Sequence, residues 1–408
     1  MKKLVNLRVI GAILFLFFLN HGLADGQTNP LLPTEAPPVI SARSAVVMDA
    51  ETGTILFSHN PAQVIAPASL TKLMTSYLCL RAIQTRKVSA DDVVKLPPET
   101  WAENQPPRSS LMFLGRNQTV TLGELLLGMA VSSGNDAAVA SALHIAPGLE
   151  AFIAMMNAEA GRLLLASTRF VEPAGVSPEN TTSAIDLARF CRVYVNEHPD
   201  SLALLHSRPS LAYPLVANTG NELPRTILQY NRNTLLSRFS GMDGLKTGYI
   251  PESGYNIALT AIREENRFIV ILLGSPNEDS RDRDGLALLE WVFSNYKTLR
   301  PNAIPIPALR IWGGKERYAD LIPAEDLVFT VSSSRAGVLQ MDTELFSYLK
   351  APLAAGEQGG VLKISDGMGE LRRIPLLLEN EAVRGNFFQV LIENIKMFIQ
   401  KKFGKSFE

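Results

Sequence analysis

The clearest pattern near the start of the chain is a pair of short apolar runs, 45–49 and 54–57, on either side of the polar sequence Glu51-Thr52-Gly53. Apolar runs of this length around a turn that contains glycine predict a β-hairpin. Three later runs that also predict strands are residues 243–249, 254–261 and 267–273. Two distant segments of the chain are therefore expected to supply strands.

Between these segments, apolar residues recur with the spacing of a helix. The pattern covers about residues 69–184, including 122–131, and it returns at 184–196 and 281–297. Strands at both ends of a region with helices between them predict an α+β fold, in which one antiparallel sheet is covered by helices.

A second folding unit is predicted after the proline-rich stretch 299–307, because the prolines interrupt any regular element. From 308 to 384 the chain shows short alternating runs separated by glycine and aspartate turns, namely residues 327–331, 360–364 and 370–378. Short alternating strands between turns are typical of a small β-sandwich.

The last predicted element is a basic amphipathic helix within residues 386–408. Apolar residues recur near the helical period, at Phe388, Leu391, Ile392, Ile395, Phe398, Ile399 and Phe403. The interspersed basic residues are Lys396, Lys401, Lys402 and Lys405. Such a helix at a chain end favours binding to an anionic membrane surface. The alternative is a helix that packs on its own domain.

The N-terminus has the composition of an export signal. Basic residues precede the apolar run 9–19, and small residues before Asp25 offer a cleavage point, so residues 1–24 are predicted to be a cleaved signal peptide. An uncleaved helix is the alternative, although the run is short for a membrane span. Residues 25–36, rich in Pro, Asn and Thr, are expected to form a flexible leader.

Composition excludes several classes of function. The chain has 408 residues, 46% of them hydrophobic, which is enough to bury a large core and predicts two domains. A formal net charge of −1 gives no basic field, so we expect no nucleic-acid partner. The five histidines form no metal-spaced cluster, and we expect neither a metal nor a cofactor. Cys79 and Cys191 lie in apolar helical stretches and are predicted to be buried free thiols.

Three short motifs carry the candidate chemistry: Ser69-Leu70-Thr71-Lys72, Ser133-Gly134-Asn135 and Lys246-Thr247-Gly248. In that order they supply a hydroxyl nucleophile, amines to accept its proton, and a strand to hold an acyl donor, which together describe covalent acyl transfer. Each motif alone is weak, since Ser294–Lys297 and Ser347–Lys350 also read S-x-x-K.

Context selects Ser69. Pro67 marks a turn and helical spacing follows, so the serine is predicted to open a helix, with Lys72 one turn later on the same face. The backbone N–H of Ser69 would then be among the free donors at the helix start. We expect the strand around Lys246 to bind an extended peptide by backbone hydrogen bonds, with Gly248 allowing close approach.

The segments 44–49, 67–72, 133–137 and 243–248 resemble the low-molecular-mass penicillin-binding proteins, the serine D-alanyl-D-alanine carboxypeptidases. The resemblance spans residues 37–298 and implies a transpeptidase/β-lactamase-like catalytic domain there, an accessory domain at 308–384 and a membrane-anchor helix at 386–408. It also implies removal of the terminal D-alanine from peptidoglycan stem pentapeptides, covalent inhibition by β-lactams, and a periplasmic or outer-face location at the cytoplasmic membrane.

The resemblance assigns a role to each candidate residue. Ser69 would be the nucleophile, Lys72 the base and Ser133 a proton relay. The residues implied to bind substrate are Lys246, Thr247, Asn135, Gly248, Tyr249, Arg281 and Arg232. Among these, the two arginines would face the terminal carboxylate, and the backbone N–H groups of Ser69 and Tyr249 would form an oxyanion hole.

The chain departs from the family pattern in the segment 170–176. Glu172 and Ala174 stand where carboxypeptidases commonly have Asn and His, and Glu172-Pro173 resembles the deacylating site of class A β-lactamases, although Val176 replaces their asparagine. The alternatives are therefore D,D-endopeptidase activity on crosslinked stems, then a β-lactamase, then a penicillin-binding scaffold without catalysis.

Overall fold

The computed structural model describes residues 33–220, 223–301, 304–365 and 369–403. The predicted signal peptide at 1–24 and most of the leader at 25–36 lie outside these ranges. The described helices are α1 Thr71–Gln84, α2 Leu122–Val131, α3 Asn135–Ile145, α4 Leu149–Arg162, α5 Ala184–Glu197, α6 Val216–Thr219, α7 Glu278–Asn295 and α8 Phe387–Phe403.

The described strands fall into two groups along the chain. Those of the first 300 residues are β1 Ser44–Asp49, β2 Ile55–His59, β3 Ser210–Tyr213, β4 Ile227–Tyr230, β5 Met242–Ile250, β6 Gly254–Arg263, β7 Asn266–Ser275 and β8 Tyr296–Leu299. Those that follow are β9 Leu309–Trp312, β10 Tyr318–Ala319, β11 Leu321–Pro323, β12 Phe329–Ser332, β13 Gln340–Leu345, β14 Leu349–Lys350, β15 Gln358–Ser365 and β16 Glu370–Leu378.

The central sheet has the strand order β2-β1-β7-β6-β5, with every neighbouring pair antiparallel. The predicted N-terminal hairpin is confirmed as β1–β2, and the three later strands are confirmed as β5–β7. Since β7 pairs with β1, the two distant segments join in one sheet, and β5 is left as an edge strand.

Successive residues of each central strand face opposite sides of the sheet, so one strand serves two cores. In β7, Ile269 and Ile271 belong to the core shared with α1, α4 and α5, whereas Val270 and Leu272 belong to the core shared with α7. Nearly continuous apolar sequence in this strand is the consequence of burial on both faces.

A third core forms around α2 and α3, at the side of the sheet where β5 lies. Thr121 caps α2 with a complete capping box, in which its hydroxyl accepts from the Glu124 N–H and the Glu124 carboxylate accepts from the Thr121 N–H. The helical pattern expected for 69–184 is wrong for two stretches. Most of the chain between α1 and α2 is built from turns and short 3-10 segments, and residues 163–183 form turns and isolated β-bridges.

The junction with the second unit differs from the prediction. Helix α7 ends at Asn295, two residues before the expected end, and the chain continues directly as β8. Strand β8 pairs antiparallel with β12. The last strand before the proline-rich stretch therefore bonds to the region that follows it.

The C-terminal region is β-rich, as predicted. Its strands form a sheet of order β10-β9-β14 and a sheet of order β11-β16-β15-β13. Apolar residues from both sheets, including Ile311 of β9 and Leu376 of β16, share one core. Cys79 and Cys191 are both buried and free, which confirms that prediction.

Helix α8 confirms the amphipathic helix over the part of the tail that is described. One face packs on the accessory region, where Val390 is buried and the Glu393 carboxylate accepts from Arg310 Nη2 at 2.7 Å. The opposite face is apolar and exposed, with Phe387, Phe388, Leu391, Ile392, Ile395 and Phe398 each at least 47% accessible. Among the described helices no single one is long and apolar enough to cross a membrane; only the bent pair α3–α4 passes on combined length and composition.

Candidate active site

Ser69 lies in the turn that leads into α1. Residues Ala68–Leu70 form a 3-10 turn and α1 begins at Thr71, so the serine precedes the helix by two residues instead of opening it. Long side chains in a helix point back towards its N-terminus, and Lys72, in the first turn of α1, therefore reaches back to Ser69.

The Lys72 amine is buried and fully engaged. Its Nζ donates to Ser69 Oγ at 3.1 Å, to Asn135 Oδ1 at 2.7 Å and to the Ala174 carbonyl. Burial lowers its pKa from 10.5 to about 7. The negative charges of Glu172 and Asp136 oppose that drop in pKa, and the positive charge of Arg232 adds to it.

Ser133 and Asn135 occupy the junction of α2 and α3. Ser133 has φ 59° and lies in the tight turn between the two helices, and Asn135 is the first residue of α3. The turn therefore fixes the positions of both residues. Asp136 fixes this junction, because its carboxylate accepts hydrogen bonds from the backbone N–H groups of Met112, Phe113, Leu114 and Ala137. The loop before α2 is thereby tied to the second motif.

The third motif lies on the edge strand β5. Lys246 and Thr247 are buried at 3% and 5% exposure, whereas Tyr249 is half exposed. Lys246 Nζ donates to the Thr247 carbonyl at 3.0 Å. Burial, followed by the positive charges of Lys72, Arg232 and Arg281, lowers the pKa of Lys246 well below its ordinary value. Lys72 and Lys246 therefore lie close together in one buried region.

Gly248 lies against the turn that carries Ser69. A Cβ on this residue would lie 2.9 Å from the Pro67 carbonyl oxygen and 3.0 Å from the Ser69 backbone nitrogen. The absence of a side chain therefore lets β5 pass directly beside the turn that carries the nucleophile. The close approach is between two parts of this chain.

The two arginines have unequal surroundings. Arg281 is buried at 3% exposure, and its guanidinium donates from Nε to Asp282 at 2.8 Å and from Nη2 to Glu278 at 3.0 Å. Arg232 is exposed and lines the pocket in front of Ser69. An exposed planar fork is available to a ligand carboxylate, whereas that of Arg281 is already engaged by two protein carboxylates.

A pocket of about 440 Å³ opens in front of Ser69. Sequence-predicted residues that line it are Ser69, Ser133, Arg232, Thr247, Gly248, Tyr249 and Arg281. Lys72 donates hydrogen bonds to Ser69 and Asn135, and Lys246 precedes Thr247 on β5 and donates to its carbonyl. All ten predicted site residues therefore belong to one region of the molecule.

Sequence reasoning missed part of the pocket wall. The unpredicted lining residues are Arg108, Ser109, Ser110, Thr234, Tyr255 and Glu278. Tyr255 could have been predicted from the sequence, because the β5–β6 hairpin pairs it with Tyr249. Nothing in the sequence marks Arg108–Ser110. The Asn135 N–H donates to the Ser110 carbonyl at 2.8 Å, which together with the Asp136 contacts holds this segment at the site.

The duplicate S-x-x-K sequences lie elsewhere. Ser294 and Lys297 are exposed around the end of α7, and Ser347 and Lys350 are exposed in the β-rich C-terminal region. Of these three serines, Ser69 is the one that the structure places beside the other two motifs.

The chain matches two family models that together cover most of its length. The D-alanyl-D-alanine carboxypeptidase family model matches residues 32–277, and the model of the penicillin-binding protein 5 C-terminal domain matches 293–384. D-alanyl-D-alanine carboxypeptidase DacD of Escherichia coli is 33% identical over 390 residues, 94% of this chain and 97% of DacD.

Solved structures agree with the fold class. Penicillin binding protein 5 from Haemophilus influenzae has a TM-score of 0.76 at 31% identity, covering 86% of this chain and 100% of that one. Penicillin-binding protein D2 from Listeria monocytogenes, solved in an ampicillin-bound form, has a TM-score of 0.54 at 29% identity over 62% of this chain and 98% of its own. With a family model over more than half its length and a full-length relative of this identity, the chain belongs to the D-alanyl-D-alanine carboxypeptidase family of penicillin-binding proteins and is a serine-type hydrolase.

Proposed function

We propose that the enzyme removes the terminal D-alanine from peptidoglycan stem pentapeptides through an acyl-enzyme on Ser69. The observation that carries this proposal is the contact of 3.1 Å between Lys72 Nζ and Ser69 Oγ inside a buried site. A hydroxyl needs a base within hydrogen-bond reach to become a nucleophile at neutral pH, and Lys72 is the amine at that distance.

Lys72 can accept a proton only when it is neutral. Burial brings its pKa to about 7, so a substantial fraction is neutral under ordinary conditions. Ser69 Oγ attacks the carbonyl between the two D-alanines as its proton passes to Lys72 Nζ. The backbone N–H groups of Ser69 and Tyr249 receive the developing oxyanion.

Collapse of the tetrahedral intermediate releases D-alanine, whose amine needs a proton. Lys72 gives up the proton that it took from Ser69, and Ser133, which lines the pocket beside Ser69, relays it to this amine. Lys246 on β5 is buried in the same region and assists. Water then attacks the ester carbonyl as Lys72 accepts its proton, and the proton passes to Ser69 Oγ as the ester bond breaks, which regenerates the hydroxyl. A β-lactam enters the same sequence at the first attack and inhibits covalently.

The substrate is held as an added strand along β5. This strand lies at the edge of the sheet, so its outer backbone groups can pair with an extended peptide, and Thr247 and Tyr249 face the pocket. Arg232 binds the terminal carboxylate directly. Arg281, held by two carboxylates, shapes the wall and adds positive charge.

The β-lactamase alternative loses support from Glu172. Both of its carboxylate oxygens accept hydrogen bonds from the segment that follows, and these bonds hold that segment in place. Glu172 therefore gives no reason to expect rapid release of a penicilloyl group.

We further propose that the protein is exported and held at the outer face of the cytoplasmic membrane by α8. The exposed apolar face of α8 suits insertion at an interface, and lysines near its C-terminal end suit anionic headgroups. The packed face, fixed by Glu393, keeps the helix on its own domain while the other face meets lipid.

The reaction is tested by mass spectrometry of products from a stem pentapeptide and from a crosslinked dimer, with Ser69→Ala as the inactive control. Loss of one D-alanine from the pentapeptide supports the proposal. Cleavage of the dimer alone would identify an endopeptidase instead.

The membrane proposal is tested by vesicle co-sedimentation. Deletion of 386–408, or the triple change of Phe388, Ile395 and Phe398 to Ser, should abolish binding to anionic vesicles while activity on a small peptide persists. Phe346→Ser, an exposed apolar residue elsewhere in the accessory region, is the matched control. Undiminished pelleting of the deleted form would place the anchor elsewhere.

A further inference from the structure

The mechanism leaves unused a partly buried carboxylate near the catalytic lysine, that of Glu172. One carboxylate collects an unusual number of donors, namely the backbone N–H groups of Ala174 at 2.7 Å, Gly175 at 2.7 Å, Val176 at 2.8 Å and Ser177 at 3.3 Å, and Asn180 Nδ2 at 2.7 Å. Four successive N–H groups that converge on one side chain fold the segment 172–177, called here the Glu172 loop, into a single conformation.

The Glu172 loop is pressed against the nucleophile's turn. Gly175 has φ 78°, and a Cβ there would lie 1.9 Å from the Ala68 carbonyl oxygen and 2.9 Å from the Ser69 nitrogen. On the next turn of α1, Thr75 Oγ1 donates to the Pro173 carbonyl at 2.7 Å. Between these two contacts, the Ala174 carbonyl accepts from Lys72 Nζ.

We propose that Glu172 is a positioning residue for acyl transfer, because its carboxylate folds the loop that holds the Ala174 carbonyl on the Lys72 amine and so directs that amine at Ser69. The inference rests on the proposed role of Lys72 as the base. Glu172 acts through Lys72 and not on the substrate or the hydrolytic water.

An ionised carboxylate is needed for this arrangement. Its two oxygens offer about four lone-pair sites and no proton, which matches the converging N–H groups. A glutamine at this position would present one oxygen and one NH₂ group, and the NH₂ group would face a backbone N–H without an acceptor between them. The loop would then loosen where it contacts Lys72.

The charge of Glu172 has a second, measurable consequence. The groups that act on Lys72 are the anions Glu172 and Asp136, the cation Arg232, the neighbouring Lys246, and the neutral partners Ser69, Asn135 and Ala174. Glu172 favours the protonated lysine, so its removal lowers the pKa of Lys72. The pH at which acylation reaches half its maximum must then fall.

The experiment compares Glu172→Gln with Glu179→Gln, an exposed glutamate close by in the chain, as the matched control. The second-order rate of acylation by a fluorescent penicillin is measured from pH 5 to 9, together with the deacylation rate and the melting temperature. For Glu172→Gln we expect the maximal acylation rate to fall at least about tenfold and the half-maximal pH to fall by on the order of one unit, the size of effect of a neighbouring charge. The control should match the wild type.

The Glu172→Asp variant separates the effect of the negative charge from the effect of side-chain length. It keeps the anion but shortens the side chain by one methylene, so its maximal acylation rate should fall while its half-maximal pH stays close to wild type. This variant also keeps the test informative if the glutamine variant folds poorly.

Two results would overturn the inference. If the Glu172→Gln variant melts at a lower temperature but keeps the wild-type pH profile and maximal acylation rate, Glu172 contributes to stability only. Slower deacylation with unchanged acylation would make it a water-activating base. Failure of the proposed role of Lys72 as the base would give a different result. In that case Lys72→Met would keep the wild-type rise of the acylation rate with pH.

Discussion

Replacing Lys72 by methionine tests whether burial of this amine makes Ser69 reactive. Methionine keeps the length and apolar character of the side chain but cannot accept a proton. Because Lys72 is the amine that contacts Ser69 Oγ, its loss leaves the serine with the unactivated acidity of an ordinary hydroxyl.

The size of the effect follows from the protonation state. With a pKa of about 7, about half of the Lys72 amines are neutral at pH 7 and about one in ten at pH 6, whereas a pKa of 10.5 would leave only about three in 10⁴ neutral at pH 7. Burial thus raises the fraction of competent base by about 10³. The neutral amine is the base and its fraction grows as the pH rises past the pKa of Lys72. The acylation rate must therefore rise with pH through about 7 and then become constant.

The assay is the pseudo-first-order labelling of Ser69 by a fluorescent penicillin, measured from pH 5 to 9 in buffers of constant ionic strength. We expect Lys72→Met to lose about 10² to 10⁴ in acylation rate, the range that general-base catalysis supplies, and to lose the rise near pH 7. Lys297→Met removes an exposed lysine from a duplicate S-x-x-K sequence and should change neither quantity.

The reasoning is refuted if Lys72→Met labels within about threefold of wild type, or if it labels slowly but retains the same rise near pH 7. The second result would assign the titration to another group, with Lys246 the first to examine because it shares the buried region.

Three further predictions address the rest of the site. Ser69→Ala should abolish penicillin labelling while Ser294→Ala and Ser347→Ala retain it; a labelled Ser69→Ala protein would contradict the assignment of the nucleophile. Gly248→Val should slow acylation at least about tenfold because its side chain meets Pro67 and Ser69, whereas Gly337→Ala, with open space around it, should not, and equal rates for the two would refute the close approach. Arg232→Ala should raise KM for a D-Ala-D-Ala peptide with little change in melting temperature. Arg281→Ala should lower the melting temperature, because it leaves the buried Asp282 without its cationic partner, so the reverse pattern in the two assays would exchange their roles.

The local sequence is enough to predict several strands and helices and the closeness of Lys72 to Ser69. Short apolar runs bounded by turn residues predict β1, β2 and β5–β7, and helical spacing predicts α2, α5 and α8, because each segment's own residues record which of its positions are buried. The S-x-x-K spacing places Lys72 on the same face as Ser69 for the same reason. The residue types of the three motifs are enough to predict acyl transfer.

The tertiary structure decided what lies between distant segments. Asn135 and the Ala174 carbonyl converge on Lys72 from sequence separations of 63 and 102 residues, and no local pattern records that convergence. Burial of Lys72, and hence its pKa, is a property of the packed site and not of the motif. The same holds for Gly248, which faces the Ser69 turn, and for Glu172, whose carboxylate is surrounded by backbone N–H groups. Periodicity reports which face of an element is buried, but only the packing of one element on another determines which polar groups meet there.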